Sequence, residues 1–124
     1  MVSYRVIGQP TPQTTAQGKV TGGAEYVADV SLPGMLGSAI LRSTRSHARI
    51  IRIDTAAAEL LPGVHVVMTG ADVYGILVGR RFRDVPILAN DKVRFIGERV
   101  AAVAADNLKI AQQAVGLIKG EDEE

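Results

Sequence analysis

Residues 99–105 read Arg-Val-Ala-Ala-Val-Ala-Ala, and they run directly into the pair Asp106-Asn107. From Val100 to Ala105 both alternating faces are apolar, which predicts a fully buried strand. Asp106 or Asn107 is then expected to cap a helix to about residue 119, since apolar residues recur there at helical spacing: Leu108, Ala111, Val115 and Ile118. This strand and helix are the part of the sequence that most directly indicates a packed core.

The composition bounds the chain to one domain with an aliphatic core. Its 124 residues are 47% apolar and 22% charged, enough for one ordinary core and too few for two typical domains. Aromatic residues make up only 4% and tryptophan is absent, so Val, Ile, Leu and Ala must build the core. The composition therefore favours an α/β or α+β domain.

Three strands and a short helix are predicted in the first half of the chain. In order, they are a central strand (35–41), a strand with a bulge or an edge position (48–53), a helix (56–61) and a third strand (64–68). Small residues in the first strand would let a helix or a neighbouring chain approach closely. Asp54 or Thr55 can cap the helix, which Pro62-Gly63 then stops. Strand, helix and strand in so few residues indicate a βαβ-like unit.

The second half of the chain is expected to hold a loop and a hairpin. Residues 69–85 contain three glycines and three arginines and are predicted to form a loop. Strands over 92–95 and 99–105 flank Ile96-Gly97-Glu98, whose glycine and length suit a tight hairpin connection. We therefore expect these two strands to form a hairpin, with the Glu98 carboxylate exposed in the turn.

The sequence offers few candidates for catalysis. The two histidines, His47 and His65, are too few for a mononuclear catalytic metal site, which needs about three protein ligands. We expect His65 to be a hydrogen-bonded structural residue, and Asp29 and Asp54 to accept backbone N–H groups as caps. An exposed Glu98 is not favoured as a general base. Cysteine is absent, which excludes disulfides and iron–sulfur ligation within this chain.

Charge patterning leaves one possible interaction site. The net charge of +1 comes from 14 basic and 13 acidic side chains, so nucleic-acid binding is not predicted. Arg80, Arg81 and Arg83 surround Phe82, and guanidinium groups bind carboxylates while an exposed aromatic side chain favours an interface. A solvated loop is the alternative interpretation of this segment.

Hydropathy gives no sign of a membrane protein. The sequence contains no apolar stretch near the roughly 20 residues that span a bilayer, and no apolar run follows a basic start at the N-terminus. We therefore expect a cytoplasmic protein that has no membrane partner.

Five phrases occur in order along the chain: TGGAEYVAD (21–29), LPGML (32–36), RSTRSHARI (42–50), LPGV (61–64) and KVRFIGE (92–98). Together they resemble the amino-terminal a/b hammerhead domain of the molybdenum hydroxylase large subunit, in the xanthine dehydrogenase and aldehyde oxidase family. The resemblance extends from about residue 8 to about residue 116, and its specificity lies in the order and spacing of the phrases.

The resemblance implies a fold class and a division of the chain. The fold is expected to be an α+β a/b hammerhead, with a mixed β-sheet, a short helix, and one longer C-terminal helix packed on the sheet. The chain divides into an extended N-terminal arm (1–22), the hammerhead domain (23–119) and an acidic tail (120–124).

The resemblance also implies a role in a larger enzyme. The chain is expected to be a structural or assembly domain of a molybdenum-dependent hydroxylase, an oxidoreductase. No residue of the chain is assigned as catalytic, cofactor-binding or metal-binding, so no cofactor is expected in it. The molybdopterin is implied for the remaining part of the large subunit, with iron–sulfur and flavin subunits as further partners. A free-standing protein- or ligand-binding module of the same fold is the alternative, and whether the chain is a fragment or a split subunit stays open.

Overall fold

The computed structural model describes residues 5–8 and 10–123, and the chain separates into two compact units, one up to Pro33 and one from Gly34 onward. In the first unit, helix α1 spans Ala16–Val20 and a 3-10 turn spans Val27–Asp29. Helix α1 lies in the segment for which the sequence predicts an extended arm, of which residues 1–4 and 9 are outside the described residues. The Asp29 carboxylate accepts the Tyr26 N–H at 3.0 Å, which confirms its predicted role as a cap.

The second unit contains eight strands and two helices among its described residues. In chain order they are β1 (Gly37–Arg42), β2 (Ala48–Asp54), α2 (Ala56–Glu59), β3 (Val64–Thr69), β4 (Leu77–Val78), β5 (Val85–Pro86), β6 (Lys92–Val93), β7 (Arg99–Ala105), α3 (Leu108–Leu117) and β8 (Lys119–Glu123). The predicted loop over 69–85 therefore includes β4 and the start of β5, which pair with each other.

The strands form three antiparallel sheets instead of one mixed sheet. Their orders are β1-β7-β3 (the first sheet), β6-β2-β8 (the second sheet) and β4-β5. The predicted βαβ-like unit is wrong, because β2 and β3 belong to different sheets. A parallel crossover needs a dozen or more residues, and the connection that holds the four-residue helix α2 is shorter than that.

Two further predictions about pairing are wrong. β7 is the central strand of the first sheet, and β1, which the sequence predicted to be central, lies at its edge. β6 and β7 do not form a hairpin, because β7 pairs with β1 on one side and β3 on the other, while β6 pairs with β2. The predicted bulge in β2 is confirmed by a register shift between Ile50 and Arg52.

The N-terminal end of helix α3 agrees with the prediction, and the segment after the helix does not. The Asn107 side chain accepts the Ile110 N–H at 3.0 Å and caps α3, as the sequence predicted. The helix ends at Leu117, and the segment expected to be an acidic tail instead forms β8 as far as Glu123; Glu124 is outside the described residues. β8 pairs with the arginine-rich strand β2, and opposite charges on paired strands favour that arrangement.

The main core lies between the first sheet and α3. Its buried residues are small or branched: Ala58, Ala101, Val103, Ala105, Ala111, Ala114 and Ile118. A second cluster of Ala48, Ala89, Val93 and Val100 includes residues of β2, β6 and β7. No helix in the described part of the chain has the length and apolar character required to cross a bilayer.

Candidate functional site

Alternate residues of β7 meet different surroundings. Ala101, Val103 and Ala105 belong to the buried core, and α3 packs against both β7 and β1. Ala102 and Ala104, which lie between them, point to the opposite side of the sheet and are partly exposed. The first sheet therefore has an inner face covered by α3 and an outer face that it does not cover.

The outer face consists of two rows of paired residues. Ile40 of β1 and Met68 of β3 pair with Ala102, and Ser38 of β1 and Val66 of β3 pair with Ala104. Every residue of the two rows except Ser38 is apolar, and Ile40 and Val66 are 41% and 44% exposed. We use the name outer face for these six residues: Ser38, Ile40, Val66, Met68, Ala102 and Ala104.

A bulge in β3 places Val66 on the outer face. The register shifts between Val64 and Val66, so that Val64 packs on the core while Val66 pairs with Ala104. The bulged residue His65 is held by its Nε2 atom, which lies 2.7 Å from Asp106 Oδ1. This hydrogen bond confirms the prediction that His65 is a hydrogen-bonded residue.

The turn between β6 and β7 contains a buried carboxylate. Glu98 is 4% exposed, and it is the one charged residue of the described segments that is buried. Its carboxylate accepts the backbone N–H of Arg94, and its Oε1 atom lies 3.4 Å from Arg94 Nη1. The prediction of an exposed Glu98 is therefore wrong, because this turn connects two sheets and folds back onto the core.

Arg94 joins Glu98 to a second carboxylate. Its Nη2 atom donates to Asp91 Oδ1 at 2.9 Å. Partial burial raises the pKa of Asp91, but hydrogen bonds from Arg94 and from backbone N–H groups, with the charge of Arg94, together hold it below the ordinary value of 3.8. We use the name clasp for Asp91, Arg94 and Glu98.

The predicted interaction site, Arg80 to Arg83, lies in the connection between β4 and β5. All four of its residues are exposed, and the Phe82 side chain is 76% exposed. No ion pair within the described ranges involves these arginines. A Cβ atom added to Gly79 would overlap the Phe82 carbonyl oxygen, so the loop turns tightly at its base.

The two histidines lie in separate places. His47 lines an open basin of about 810 Å³ with Arg49, Asp91 and Lys92, a mixture of opposite charges. His65 pairs with Asp106 at another place. Over residues 5–8 and 10–123, no three His, Asp or Glu side chains are grouped closely enough to hold a metal ion.

Comparison with known proteins decides the family. The family of the aldehyde oxidase and xanthine dehydrogenase a/b hammerhead domain matches residues 21–124. The chain belongs to this family. The α+β hammerhead fold that the resemblance implied is thereby confirmed, and the antiparallel sheets with few helices described above are its form in this domain.

The relatives of this hammerhead domain are large oxidoreductase subunits. A probable xanthine dehydrogenase subunit of Bacillus subtilis (strain 168) is 41% identical over 121 residues, which are 96% of this chain and 16% of the relative. The carbon monoxide dehydrogenase large chain of Afipia carboxidovorans is 42% identical over 106 residues, 79% of this chain and 13% of that one.

Solved structures agree with this assignment. Quinoline 2-oxidoreductase from Pseudomonas putida 86 has a TM-score of 0.84 and 41% identity over 92% of this chain and 16% of its own. The Cu,Mo-CO dehydrogenase has a TM-score of 0.89 and 36% identity, over 94% of this chain and 15% of its own. The hammerhead domain thus spans about one-sixth of the length of the Bacillus subtilis relative and of quinoline 2-oxidoreductase, and 9% to 29% of other curated relatives.

Sequence reasoning missed the outer face and the clasp. The two apolar faces of β7 were a usable signal for the outer face, because a strand covered on one side usually alternates apolar and polar residues. The clasp left no comparable signal, since neither the burial of Glu98 nor its distance from Arg94 can be read from spacing alone.

Proposed function

We propose that this chain is a structural and assembly domain of a molybdenum-dependent hydroxylase large subunit, without a catalytic centre of its own. The outer face of the first sheet supports this role, because it offers an apolar surface for the rest of such a subunit. The proteins that the domain matches are several times longer, so each has a large remainder that can cover this surface.

The composition of the outer face favours burial over solvation. In antiparallel sheets that leave one face in water, that face usually carries polar side chains. Here Ser38 is the polar exception among apolar residues. Burial of apolar surface contributes roughly 25 cal/mol per Å², and the small side chains of Ala102 and Ala104 allow another element to approach the middle of the sheet.

The described residues do not fit a molybdopterin site. Every buried side-chain nitrogen or oxygen atom among them already has a hydrogen-bond partner, so no buried polar side chain among them is left to receive a ligand. No cysteine is present, and no group of three His, Asp or Glu side chains occurs in the described ranges. We therefore propose that the remainder of the large subunit binds the molybdopterin, and no step of the reaction is assigned to this domain.

The names of relatives indicate the kind of assembly. One relative is named the nicotinate dehydrogenase large molybdopterin subunit of Eubacterium barkeri, 36% identical over 98% of this chain. By analogy we propose that this domain works inside a multi-subunit oxidoreductase, with iron–sulfur and flavin subunits as partners and a cytoplasmic location. The substrate belongs to the parts of the enzyme outside this domain.

A free-standing binding module is the second candidate. The exposed Arg80 to Arg83 loop favours it, because three guanidinium groups without ion pairs in the described ranges surround an exposed aromatic ring. Such a module would bind an acidic partner through this loop and would have no need of further subunits.

A domain graft distinguishes the two candidates. The matched segment of the Bacillus subtilis relative is replaced by this chain, and the chimera is purified with its partner subunits. We expect a chimera that retains molybdenum and oxidises xanthine, while deletion of the same segment abolishes both. Loss of both in a chimera that folds would contradict the assembly role.

The isolated chain gives an independent measurement. We expect it to self-associate with rising concentration in sedimentation experiments, because the outer face lacks its cover. Ala102→Asp should reduce this association, and Arg81→Glu should leave it unchanged. A chain that stays monomeric at all concentrations would favour the free-standing module.

A further inference from the structure

Two adjacent apolar side chains protrude at the turn between β6 and β7. Phe95 is 53% exposed and Ile96 is 68% exposed. Single exposed apolar residues are common on protein surfaces, but an aromatic and a branched residue side by side at a turn resemble the anchors of protein interfaces. We use the name tip for this pair.

Backbone hydrogen bonds hold the turn in one conformation. The Gly97 N–H donates to the Ser43 carbonyl at 2.8 Å, and the Ser43 N–H donates to the Glu98 carbonyl at 2.9 Å. Arg42 Nη1 donates to the Gly97 carbonyl at 2.9 Å. Gly97 has a φ of +90°, a conformation that side-chain-bearing residues rarely adopt. The turn is therefore fixed to β1 and to the segment that follows it.

The clasp restrains the other side of the tip. Glu98 follows the turn and Arg94 precedes the tip, so the hydrogen bonds between them tie its two ends together. A buried carboxylate is unfavourable unless its oxygen atoms are satisfied. Here the satisfied carboxylate fixes the backbone of the turn that carries the two exposed apolar side chains.

Rigid presentation of the tip favours binding. A segment whose backbone is already fixed loses less conformational entropy when a partner buries it. Anchors in protein interfaces are typically large side chains inserted into a pocket of the partner. The tip thus combines a fixed backbone with exposed apolar side chains, as a docking element does.

The charges beside the tip indicate which charge a partner that covers it would carry there. The Arg42 guanidinium donates to the Gly97 carbonyl, and no carboxylate in the described segments pairs with it. The charge of Arg94 is shared with Asp91 and Glu98. A partner that covers the tip would therefore be complementary if a carboxylate faced Arg42.

We infer that Phe95 and Ile96 insert into an apolar pocket, edged by a carboxylate, in the remaining part of a molybdenum hydroxylase large subunit. This inference rests on the proposed function and specifies one contact through which the domain is held. The clasp acts as a positioning device for that contact, and Arg42 pairs with the carboxylate at the pocket's edge.

A cleavable graft measures this contact directly. The chimera described above is built with a protease site at each junction, so that after cleavage the domain is retained by non-covalent contacts alone. We expect the double variant Phe95→Ser/Ile96→Ser to dissociate at least about tenfold faster than the parent on size exclusion, as removal of an interface anchor does. The matched control Leu60→Ser/Tyr74→Ser removes two other exposed apolar side chains, 82% and 78% exposed, and should dissociate like the parent.

Two further measurements keep the outcomes apart. The melting temperature of the isolated chain should be the same for the parent and the tip variant, because the tip is exposed. If the tip variant melts at a clearly lower temperature than the parent, the tip has a structural role and the inference is overturned. In Arg42→Gln, dissociation of the cleaved domain should lose most of the salt dependence that the parent shows.

The possible failures are distinguishable. If the unmodified chimera does not retain the cleaved domain, the proposed function itself fails. If the unmodified domain is retained and the tip variant is retained equally well, the tip inference fails and the proposed function stands. If the tip variant changes only the self-association of the isolated chain, the occupant is a second copy, which also contradicts the inference.

Discussion

The two faces of β7 differ in their surroundings much more than in their residues. Ala101 is fully buried on the inner face, and Ala102, its neighbour in the same strand, is partly exposed on the outer face. Both are alanines, so hydrophobicity does not distinguish them. The difference comes from α3, which covers one side of the sheet. An apolar strand can therefore be buried on one face and leave an uncovered apolar surface on the other.

The largest test of this comparison places the same charge on each face. Ala101→Asp puts a carboxylate into the core without a partner, and we expect it to destabilise the isolated chain by about 3–5 kcal/mol. Ala102→Asp should cost no more than about 1 kcal/mol, because its side chain can reach water. Chemical denaturation of both variants measures the difference in the free energy of unfolding.

The variants Ala101→Asp and Ala102→Asp also distinguish an effect on folding from an effect on assembly. In the cleavable chimera, Ala102→Asp should weaken retention of the domain although its own fold is intact. Equal losses of stability for the two isolated variants would show that the outer face is already covered within this chain. The proposed difference between the two faces of β7 would then be wrong.

The second test concerns what covers the inner face. A Cβ atom on Gly37 would lie 2.2 Å from the backbone nitrogen of Leu108, so β1 and the start of α3 approach each other through this glycine. We expect Gly37→Ala to destabilise the chain by about 1–3 kcal/mol, since backbone would have to move to relieve the overlap. Thermal unfolding of the isolated variant measures this loss.

Gly116 is the matched control for Gly37. It lies within α3, and apart from its chain neighbours and the backbone of its own helix no described atom comes within 4 Å of a Cβ built on it. Gly116→Ala should therefore stabilise the chain by about 0.5–1 kcal/mol, through the better helix propensity of alanine. If both substitutions had the same sign, close packing between α3 and β1 would not explain the role of Gly37.

The sequence predicts individual elements well because their signals are local. The apolar run of β7, the cap at Asn107 and the periodicity of α3 all lie within a few residues of the elements they define. The small residues of β1 also indicated a close approach, which the structure shows where Gly37 meets α3. Fold class and family therefore followed from sequence patterns and the order of short phrases.

Strand pairing and the candidate surface depend on contacts between distant residues. β6 and β7 look like a hairpin from their spacing, yet each finds its partners elsewhere in the chain. The same holds for Glu98, whose burial results from the position of the turn between two sheets. Charge pattern singled out Arg80 to Arg83, while the outer face and the tip became apparent only when exposure could be compared with neighbours.

The smallest expected effect concerns an ion pair at the surface, where packing contributes little. Asp91 is 65% exposed in its pair with Arg94, and its pKa lies below the ordinary 3.8. A carboxyl whose pKa is lower in the folded state stabilises the fold above its unfolded pKa, and that contribution is lost as the pH falls through the folded pKa. Relative to Asp91→Asn, the parent should gain less than about 1 kcal/mol at neutral pH, and this gain should disappear in acid. Urea denaturation of both proteins from neutral pH to below 3.8 measures it; a gain that grows in acid would contradict the assignment of Asp91 to the clasp.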